Sequence, residues 1–337
     1  MAMPISAPSQ VWEITVPGGK FIPLTHDLGG YANVSMSAGG ELALLHSNPQ
    51  DSVWMQGQRG GAFRQLPGGG SDLDGANGLA WEPDGRLLSV HTLGGDNQLW
   101  LEGGGAPAQE LATGRLPGET VGAPQIGPDG RIYFTTANQD GTARVWAVNA
   151  DGTGLTDLTP HLSASLACVA QGGRALELYV ARVQSGVEQQ NIWLLPLAGG
   201  EARQVSPVEV YANFSLVMPG GKSVLVDAED PHKLGRGIVE ELPLGGAAPM
   251  AVRPQMKELG APYDVTPDGR ALTGVICKGN VCNIWAAPLD GSKPYSLTHF
   301  NDGEIAAYAF APDGRLAVSR GTQDTDVVLA TGLANKP

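Results

Sequence analysis

Short apolar runs separated by glycine-rich turns recur along the whole chain, and no segment has helical periodicity. Tryptophan marks the recurrence most clearly. Six of the seven tryptophans, at positions 12, 54, 100, 146, 193 and 285, follow one another at gaps of 42, 46, 46, 47 and 92 residues, and Trp81 lies outside this series. The last gap is twice 46, and Val239 occupies the position missing from the series. This period predicts a repeat architecture.

A glycine turn recurs with the same period. Its spacing is 43 to 48 residues, and its glycines are Gly40, Gly85, Gly130, Gly173, Gly221, Gly269 and Gly314. Four turns read Pro-Asp-Gly-Arg, at 83–86, 128–131, 267–270 and 312–315, and the other three are degenerate copies. Proline presets such a turn, and glycine accepts the positive φ that it requires. Two independent features with one period indicate seven copies of one unit.

Each period contains four short strands: one before the turn, one after it, the tryptophan strand, and a polar outer strand after a glycine hairpin. This content is typical of a β-propeller blade. The sequence therefore predicts an all-β fold, a single seven-bladed β-propeller with four-stranded antiparallel blades over residues 10–332. Residues 1–9 would form an N-terminal extension and residues 333–337 a C-terminal tail. Stacked β-sandwiches are the alternative, although they do not require a shared period.

The two ends of the chain are predicted to meet in the last blade. The C-terminal region supplies an inner strand at 307–310, a second at 316–319 and a third at 326–330. The N-terminal region begins with strands at 11–16 and 21–25, the outer half of a blade without its inner half. One strand, either 11–16 or 326–330, is therefore surplus and would lie at the margin of that blade.

Composition and charge narrow the range of partners. The chain has 337 residues, of which 48 are glycine and 25 proline, and this abundance of turn formers favours short strands. Lys and Arg number 21 against 34 Asp and Glu, a net charge of −13. Such a chain has no electrostatic basis for binding nucleic acid or an anionic membrane surface. The longest apolar runs, such as 166–170, are far too short to span a bilayer.

The repeat resembles the TolB-like, WD-like propeller repeats of bacteria, and the resemblance covers essentially the whole chain. It is closest near the C-terminus, in Asn-Ile-Trp at 283–285, Pro-Leu-Asp-Gly at 288–291 and Phe-Ala-Pro-Asp-Gly-Arg at 310–315. These residues look like the end of propellers found alone or fused to bacterial protein kinases, but no kinase motif is present here. The resemblance implies a propeller and says little about chemistry, because this fold hosts unrelated functions.

Standard catalytic signatures are absent from the sequence. It has no Gly-x-Ser-x-Gly elbow, no His-Glu-x-x-His and no Gly-x-Gly-x-x-Gly. This excludes the hydrolase half that accompanies TolB-like propellers in prolyl-oligopeptidase-type enzymes. Any activity would have to be built on the propeller itself.

The three cysteines comprise Cys168 alone and the pair Cys277 and Cys282. The pair flanks Lys-Gly-Asn-Val where one strand turns into the tryptophan strand, so the two residues could face each other at disulfide distance. A disulfide there would imply an oxidising compartment, and the alternative is two unpaired, partly buried thiols. The compartment stays open: the TolB resemblance and this pair favour the periplasm, whereas the first residues lack an export signal, which favours the cytoplasm.

A broken ring of polar side chains is expected around one mouth of the channel. His46 and His91 each lie six residues after a turn glycine, and other repeats have Asp227 and Arg320 at or near that offset, with Arg182 in the irregular fourth repeat. This position ends the second strand and begins a loop on the face where propellers usually bind ligands. The alternative is that strand ends meet water and therefore carry polar residues.

A second set of side chains could hold a calcium-like cation in the channel. Asn33, Asn77, Asn213 and Asp264 enter inner strands from the same face, and their amide and carboxylate oxygens are the ligands of a hard cation. Alternatively, the Asn side chains cap the loops that enter these strands.

Two functions follow from these observations. The first is a non-catalytic binding or scaffold propeller, expected to be monomeric and to require no cofactor, which presents its loop face to a protein, peptide or small ligand. The second is a propeller lyase or lactonase in which a channel-bound metal polarises a carbonyl or carboxylate. His46 or His91 would then transfer a proton.

Overall fold

The computed structural model describes most of the chain, and its described residues contain 27 strands. Those residues are 10–25, 30–67, 73–93, 96–105, 107–111, 120–138, 141–170, 172–184, 187–206, 214–229, 237–245, 248–255 and 259–331. The extension at 1–9 and the tail at 333–337 lie outside them. No helix capable of crossing a membrane occurs among these residues. The predicted all-β fold is confirmed.

The N-terminal part of the chain forms five strands. They are β1 (Trp12–Ile14), β2 (Phe21–Pro23), β3 (Gly30–Met36), β4 (Leu42–Gln56) and β5 (Phe63–Gln65). The first two form a separate two-stranded sheet. β4 is 15 residues long, about twice the length of most other second strands in the molecule.

Five regular sheets follow, each with four antiparallel strands in chain order from the innermost to the outermost. They are β6 (Leu79–Trp81), β7 (Leu87–Leu93), β8 (Asp96–Glu102) and β9 (Gln109–Glu110); β10 (Thr120–Ile126), β11 (Arg131–Ala137), β12 (Ala143–Asn149) and β13 (Thr156–Asp157); β14 (Ser165–Ala170), β15 (Ala175–Gln184), β16 (Val187–Pro196) and β17 (Arg203–Gln204); β18 (Ser215–Val217), β19 (Ser223–Glu229), β20 (Gly237–Pro243) and β21 (Met250–Val252); and β22 (Gly260–Val265), β23 (Ala271–Lys278), β24 (Val281–Pro288) and β25 (Tyr295–Ser296).

The last sheet combines strands from both ends of the chain. Its C-terminal strands are β26 (Glu304–Phe310) and β27 (Leu316–Ala330). β27 pairs with β4, and β4 pairs in turn with β3 and β5. The register places Val318 opposite Trp54 and Val327 opposite Leu45.

The innermost strands of six sheets surround a central channel. Each contacts the next in the order β6, β10, β14, β18, β22 and β26, and β26 contacts β6 again. The junction between β26 and β6 is apolar, with Val53, Trp81 and Ala307 buried together. The indole N–H of Trp81 also donates a hydrogen bond to the Ala309 carbonyl, at 3.1 Å.

The prediction of seven blades is not confirmed. β3, the inner strand of the first repeat, is not among the six strands around the channel. Strands from both ends of the chain share the last sheet, but its outer strands are β4 and β5, whereas the predicted strands at 11–16 and 21–25 correspond to the separate sheet of β1 and β2. Neither 11–16 nor 326–330 fills that place.

Glycine placement provides a physical reason for this difference. Each regular repeat has a glycine between its second and third strands, such as Gly141 and Gly279, both at positive φ. No glycine occurs between Gly40 and Gly57, and Gly321 lies within β27, opposite Asp51. Residues 41–56 thus lack the glycine at which the regular repeats reverse, and the glycine of the last repeat is extended within β27, so the chain continues as a straight strand in both.

The repeated Pro-Asp-Gly-Arg turns have one conformation throughout. In each, the Asp side chain accepts a hydrogen bond from the backbone N–H two residues later, as Asp84 does from Arg86 at 2.9 Å. The glycine between them has a positive φ, 88° at Gly85 and 75° at Gly130. These turns join the first and second strands of their repeats and place the inner strand against the channel.

Candidate functional site

The central channel contains a cavity of about 470 Å³ lined by residues from all six inner strands. Aromatic side chains contribute much of the wall. They are Trp81, Tyr179, Tyr263, Tyr308 and Phe310. A cavity of this size suits a small molecule or one side chain of a peptide.

Asp264 is the only charged side chain among the described residues that line this cavity. It lies on β22, just after an irregularity in the pairing with β23 between Gly260 and Asp264. Its Oδ1 accepts a hydrogen bond from the backbone N–H of Val265 at 2.7 Å. Burial raises the pKa of the Asp264 carboxyl to about 6, although the Val265 N–H lowers it in part.

The tyrosine hydroxyls around the channel already have protein partners. Tyr308 is hydrogen-bonded at 2.8 Å to Thr273, whose hydroxyl donates to the backbone carbonyl of Asp264 at 3.0 Å. The Tyr263 hydroxyl donates to the Leu259 carbonyl at 3.1 Å. These bonds fix the rings of Tyr263 and Tyr308 in the channel wall next to Asp264.

A buried polar cluster lies behind the wall formed by β14 and β18, around Glu177. Cys168 donates its S–H to Glu177 at 3.1 Å, and the Ser215 hydroxyl donates to the other carboxylate oxygen. Tyr179 joins the cluster through the backbone of Ser215. Burial raises the pKa of Glu177 to about 7 and, with help from Glu177, holds the pKa of Cys168 well above its usual range. The thiol is therefore protonated at neutral pH and is not an activated nucleophile.

His91 is buried rather than placed at the mouth of the channel, so its prediction as a ligand-binding group at the mouth is corrected. None of its surface is exposed. Its Nδ1 lies 3.0 Å from Asp74 Oδ1 and its Nε2 lies 2.8 Å from Glu102 Oε1. Burial alone would lower the pKa of His91, but hydrogen bonds and charge from Asp74 and Glu102 outweigh it and raise that pKa to about 9. The residue is a charged core histidine.

The other residues of the predicted ring are not brought together with His91. His46 lies on β4, where its ring contacts Tyr31 at 4.9 Å between centroids, outside the six inner strands. Arg320 is bonded to Asp302 and lies over the Phe300 ring, 4.2 Å from its centroid. Asp227 is half-buried near the end of β19. The backbone of Arg182 belongs to β15, and its side chain lies outside the described residues.

The predicted calcium ligands are likewise dispersed. Asn33 is exposed on β3, away from the channel wall, with a φ of 52°. Asn77 is buried, and its amide donates to Asn97 Oδ1 at 3.1 Å. Asn213 lies outside the described residues, and of the other three only Asp264 lines the cavity. No cluster of three or more His, Cys, Asp or Glu with metal-binding geometry occurs in the described part of the chain.

The two cysteines of the hairpin form a disulfide. Cys277 and Cys282 face each other across β23 and β24, and their sulfur atoms are 2.04 Å apart. The bond lies at the end of its blade and takes no part in the channel wall.

Sequence reasoning missed Glu177, which is buried behind the channel wall, and the tyrosines beside Asp264 in that wall. A signal for Glu177 was present, because it is the one charged residue in the run Ala-Leu-Glu-Leu-Tyr-Val at 175–180. A carboxylate in an otherwise apolar second strand indicates a buried polar cluster. Tyr308 had no such signal, since tyrosine in an inner strand is equally compatible with simple packing.

Comparison with known proteins bears on the fold. No family model matches the sequence, and no curated protein matches it. Solved structures do match. TolB of Agrobacterium tumefaciens is 16% identical with a TM-score of 0.61, covering 80% of this chain and 98% of its own. TolB of Acinetobacter baumannii is 10% identical with a TM-score of 0.53, covering 88% of this chain and 80% of its own.

The fold is a TolB-like β-propeller. A third structure of this kind is the propeller domain of the Trilobed protease of Pyrococcus furiosus, described as having an open velcro topology. It is 9% identical with a TM-score of 0.50, and the match covers 88% of this chain and 94% of that domain. At these identities the likeness establishes the TolB-like fold and leaves its chemistry to the site itself.

Proposed function

We propose that this TolB-like propeller is a non-catalytic binding or scaffold module, and that its channel receives part of a peptide or a small ligand. The observation that carries the proposal is the 470 Å³ cavity enclosed by six inner strands. Its wall combines aromatic and aliphatic side chains with polar ones such as Gln125, Thr135 and Ser165, which is typical of recognition sites. The one cysteine in the wall, Cys168, is held protonated and therefore suits packing rather than catalysis.

Filling the channel tests this function. Ala309 lines the cavity, so Ala309→Phe should occupy it without adding charge. Peptides selected from a displayed random library on the native protein should lose binding to this variant. Ala251→Phe, at an exposed position on the outer strand β21, is the matched control and should bind as the native protein does. Equal binding by both variants would exclude the channel as the site.

We also propose a seven-bladed arrangement in which the first repeat forms a blade of its own. Its support is the register of the tryptophan strands. Trp100 pairs with Ser89, four residues after Gly85, and Trp54 pairs with Val318, four residues after Gly314. Within its own repeat, Trp54 would reach Leu44, four residues after Gly40, at the same offset. Exchange of β4 and β27 between the first and last repeats therefore preserves the offset found at Trp54 and Trp100.

Exposed apolar surface also favours this arrangement. Nine of the eleven exposed large apolar side chains among the described residues lie on strands displaced from the ring or beside them. They are Trp12, Ile14, Val16, Phe21, Val34, Met36, Val327, Val328 and Leu329. Inserting these strands between the first and last blades would remove much of this area from water. β3 would then become an inner strand, and Asn33 would join the channel.

Paired cysteines distinguish the two arrangements. Val53→Cys with Ser319→Cys should cross-link across β4 and β27 when the strands are exchanged, because these residues are direct partners. Leu45→Cys with Val53→Cys should cross-link only when residues 42–56 fold back as a hairpin. The seven-bladed proposal expects the second cross-link under mild oxidation. Formation of the first alone would contradict it.

A calcium-dependent lyase or lactonase is the second candidate, favoured by Asp264 in the channel and by the return of Asn33 in the seven-bladed arrangement. A bound cation that prefers the native state raises the melting temperature by linkage. The midpoint should therefore fall with a chelator and recover with calcium in the native protein, but not in Asp264→Asn. A midpoint indifferent to both would remove this candidate.

A further inference from the structure

The described part of the channel wall carries one charged group. Among the described lining residues there is no lysine, arginine or histidine, and Asp264 is the single ionisable group that carries charge near neutral pH. Its described hydrogen bond is the one from Val265 N–H. A buried carboxylate with no cationic side chain among those residues is costly, so a cationic ligand group would gain more here than at the surface.

The neighbouring hydroxyls cannot readily supply the missing partner. With Thr273 donating to the Asp264 backbone carbonyl, the Tyr308 proton is directed to Thr273 Oγ1. The Tyr263 proton is directed to Leu259. What the two tyrosines offer a ligand is ring surface, and an aromatic face attracts an ammonium group.

We propose that the channel binds a primary ammonium group, with the Asp264 carboxylate as its counter-ion and the rings of Tyr263 and Tyr308 beside it. The cavity has room for an aminoalkyl chain, so the ligand is an alkylamine or a lysine side chain of a peptide. The proposal rests on the channel being the binding site and adds its ligand class. An alkylamine and a lysine side chain would present the same primary ammonium group to Asp264.

Titration calorimetry with defined probes tests the proposal. The probes are cadaverine, a blocked pentapeptide with lysine at its centre, and the same peptide with norleucine in place of lysine. At pH 8 we expect one or both amine probes to bind and the norleucine peptide not to bind. Binding of the peptide alone, or of cadaverine alone, identifies which source the channel accepts.

Two variants give the expected change in affinity. Asp264→Asn keeps the shape and removes the charge, and should weaken amine binding about tenfold or more, since a charged hydrogen bond is lost. Asp157→Asn, at a half-buried carboxylate on the outer strand β13 that does not line the cavity, should leave binding unchanged. Amine binding to the native protein should also weaken as the pH falls below about 6, where Asp264 becomes protonated.

Failure of this inference is distinguishable from failure of the binding function. If neither amine binds, or if Asp264→Asn binds amines as the native protein does, the ammonium site is wrong. If library peptides in that case still bind the native protein and not Ala309→Phe, the channel remains a binding site for uncharged ligands. If these peptides bind both proteins equally, the channel is not the binding site, and both the binding function and the ammonium site are wrong.

Discussion

At the scale of single residues, this propeller buries several ionisable groups, and their surroundings favour the charged form of one and the neutral form of another. His91 lies between two carboxylates and is held charged, with a pKa raised to about 9. Glu177 has hydroxyl and thiol partners instead of a cation, and burial raises its pKa to about 7. Both raised pKa values favour the folded state at low pH, through the charged, protonated ring at His91 and the neutral, protonated carboxyl at Glu177. Both contributions are lost as the pH rises through the folded pKa of each group.

Replacement of His91 should destabilise the protein in a pH-dependent way. Because its folded pKa is above the unfolded value of 6.5, the protonated ring contributes fully below about pH 6.5. This contribution is lost as the pH rises through about 9. His91→Gln should therefore lower the free energy of unfolding by about 3 kcal/mol at pH 6 and by much less at pH 10.

Urea unfolding of both proteins at several pH values measures this difference. His299→Gln, at an exposed position, is the control and should change the free energy of unfolding little at any pH. A His91→Gln penalty that stays constant from pH 6 to pH 10 would show that the charge of His91 plays no part.

At the scale of elements, the repeated glycine turns determine where strands reverse. Gly130 has a φ of 75°, and a Cβ added there would meet no atom within 4 Å. Gly173 has a φ of 84°, and an added Cβ would collide with the Pro128 ring of the neighbouring turn. The first glycine is thus required by backbone conformation alone, the second by conformation and packing.

Alanine substitution separates these two requirements. Gly130→Ala should cost about 1 kcal/mol of unfolding free energy, from the strained φ. Gly173→Ala should cost more, because the Pro128 contact adds to that strain. Gly57→Ala, at an exposed glycine without positive φ, should be neutral or slightly stabilising. Chemical denaturation ranks the three, and equal costs at 130 and 173 would contradict the role of packing.

The same turns explain how much of the fold the sequence could predict. Pro-Asp-Gly-Arg is a local signal, and the strands on either side of it were identified correctly. Pairing between β4 and β27 is a contact across nearly the whole chain, and no local residue specifies it. The missing glycine between Gly40 and Gly57 was the available sign that the first repeat departs from the template.

The site was predicted less well than the fold for a related reason. Offsets from a turn glycine identify equivalent positions along the chain, but equivalence does not bring side chains together. His46 and His91 have the same offset, yet one lies on β4 outside the ring and the other in the core of a blade. Asp264 was identified, whereas its tyrosine neighbours depend on packing between blades that the sequence pattern does not contain.

At the scale of the whole molecule, charge and exposed apolar surface act against each other. The net charge is −13 at pH 7, and like charge opposes association of copies through the apolar strands outside the ring. Near the pI of about 4.8 that repulsion disappears. Self-association is therefore expected to increase as the pH approaches this value.

Light scattering across pH 4.5 to 8 should detect this association. Met36→Lys, on β3, should reduce it, because it places a charge on the apolar strands outside the ring. Tyr295→Lys, at an exposed aromatic residue on a regular blade, is the matched control and should reduce it less. An equal effect of both substitutions would mean that general charge, and not this surface, governs association.

The pairing of β4 with β27 bears on how the number of repeats in such a chain can change. Trp100 pairs with a residue four positions after the turn glycine of its own repeat, and Trp54 pairs at the same offset with a repeat at the other end of the chain. Loss or duplication of one complete repeat between these strands would leave both β4 and β27 intact. Ring size can therefore change between related genes in whole-repeat steps, while the closing contact is inherited unchanged.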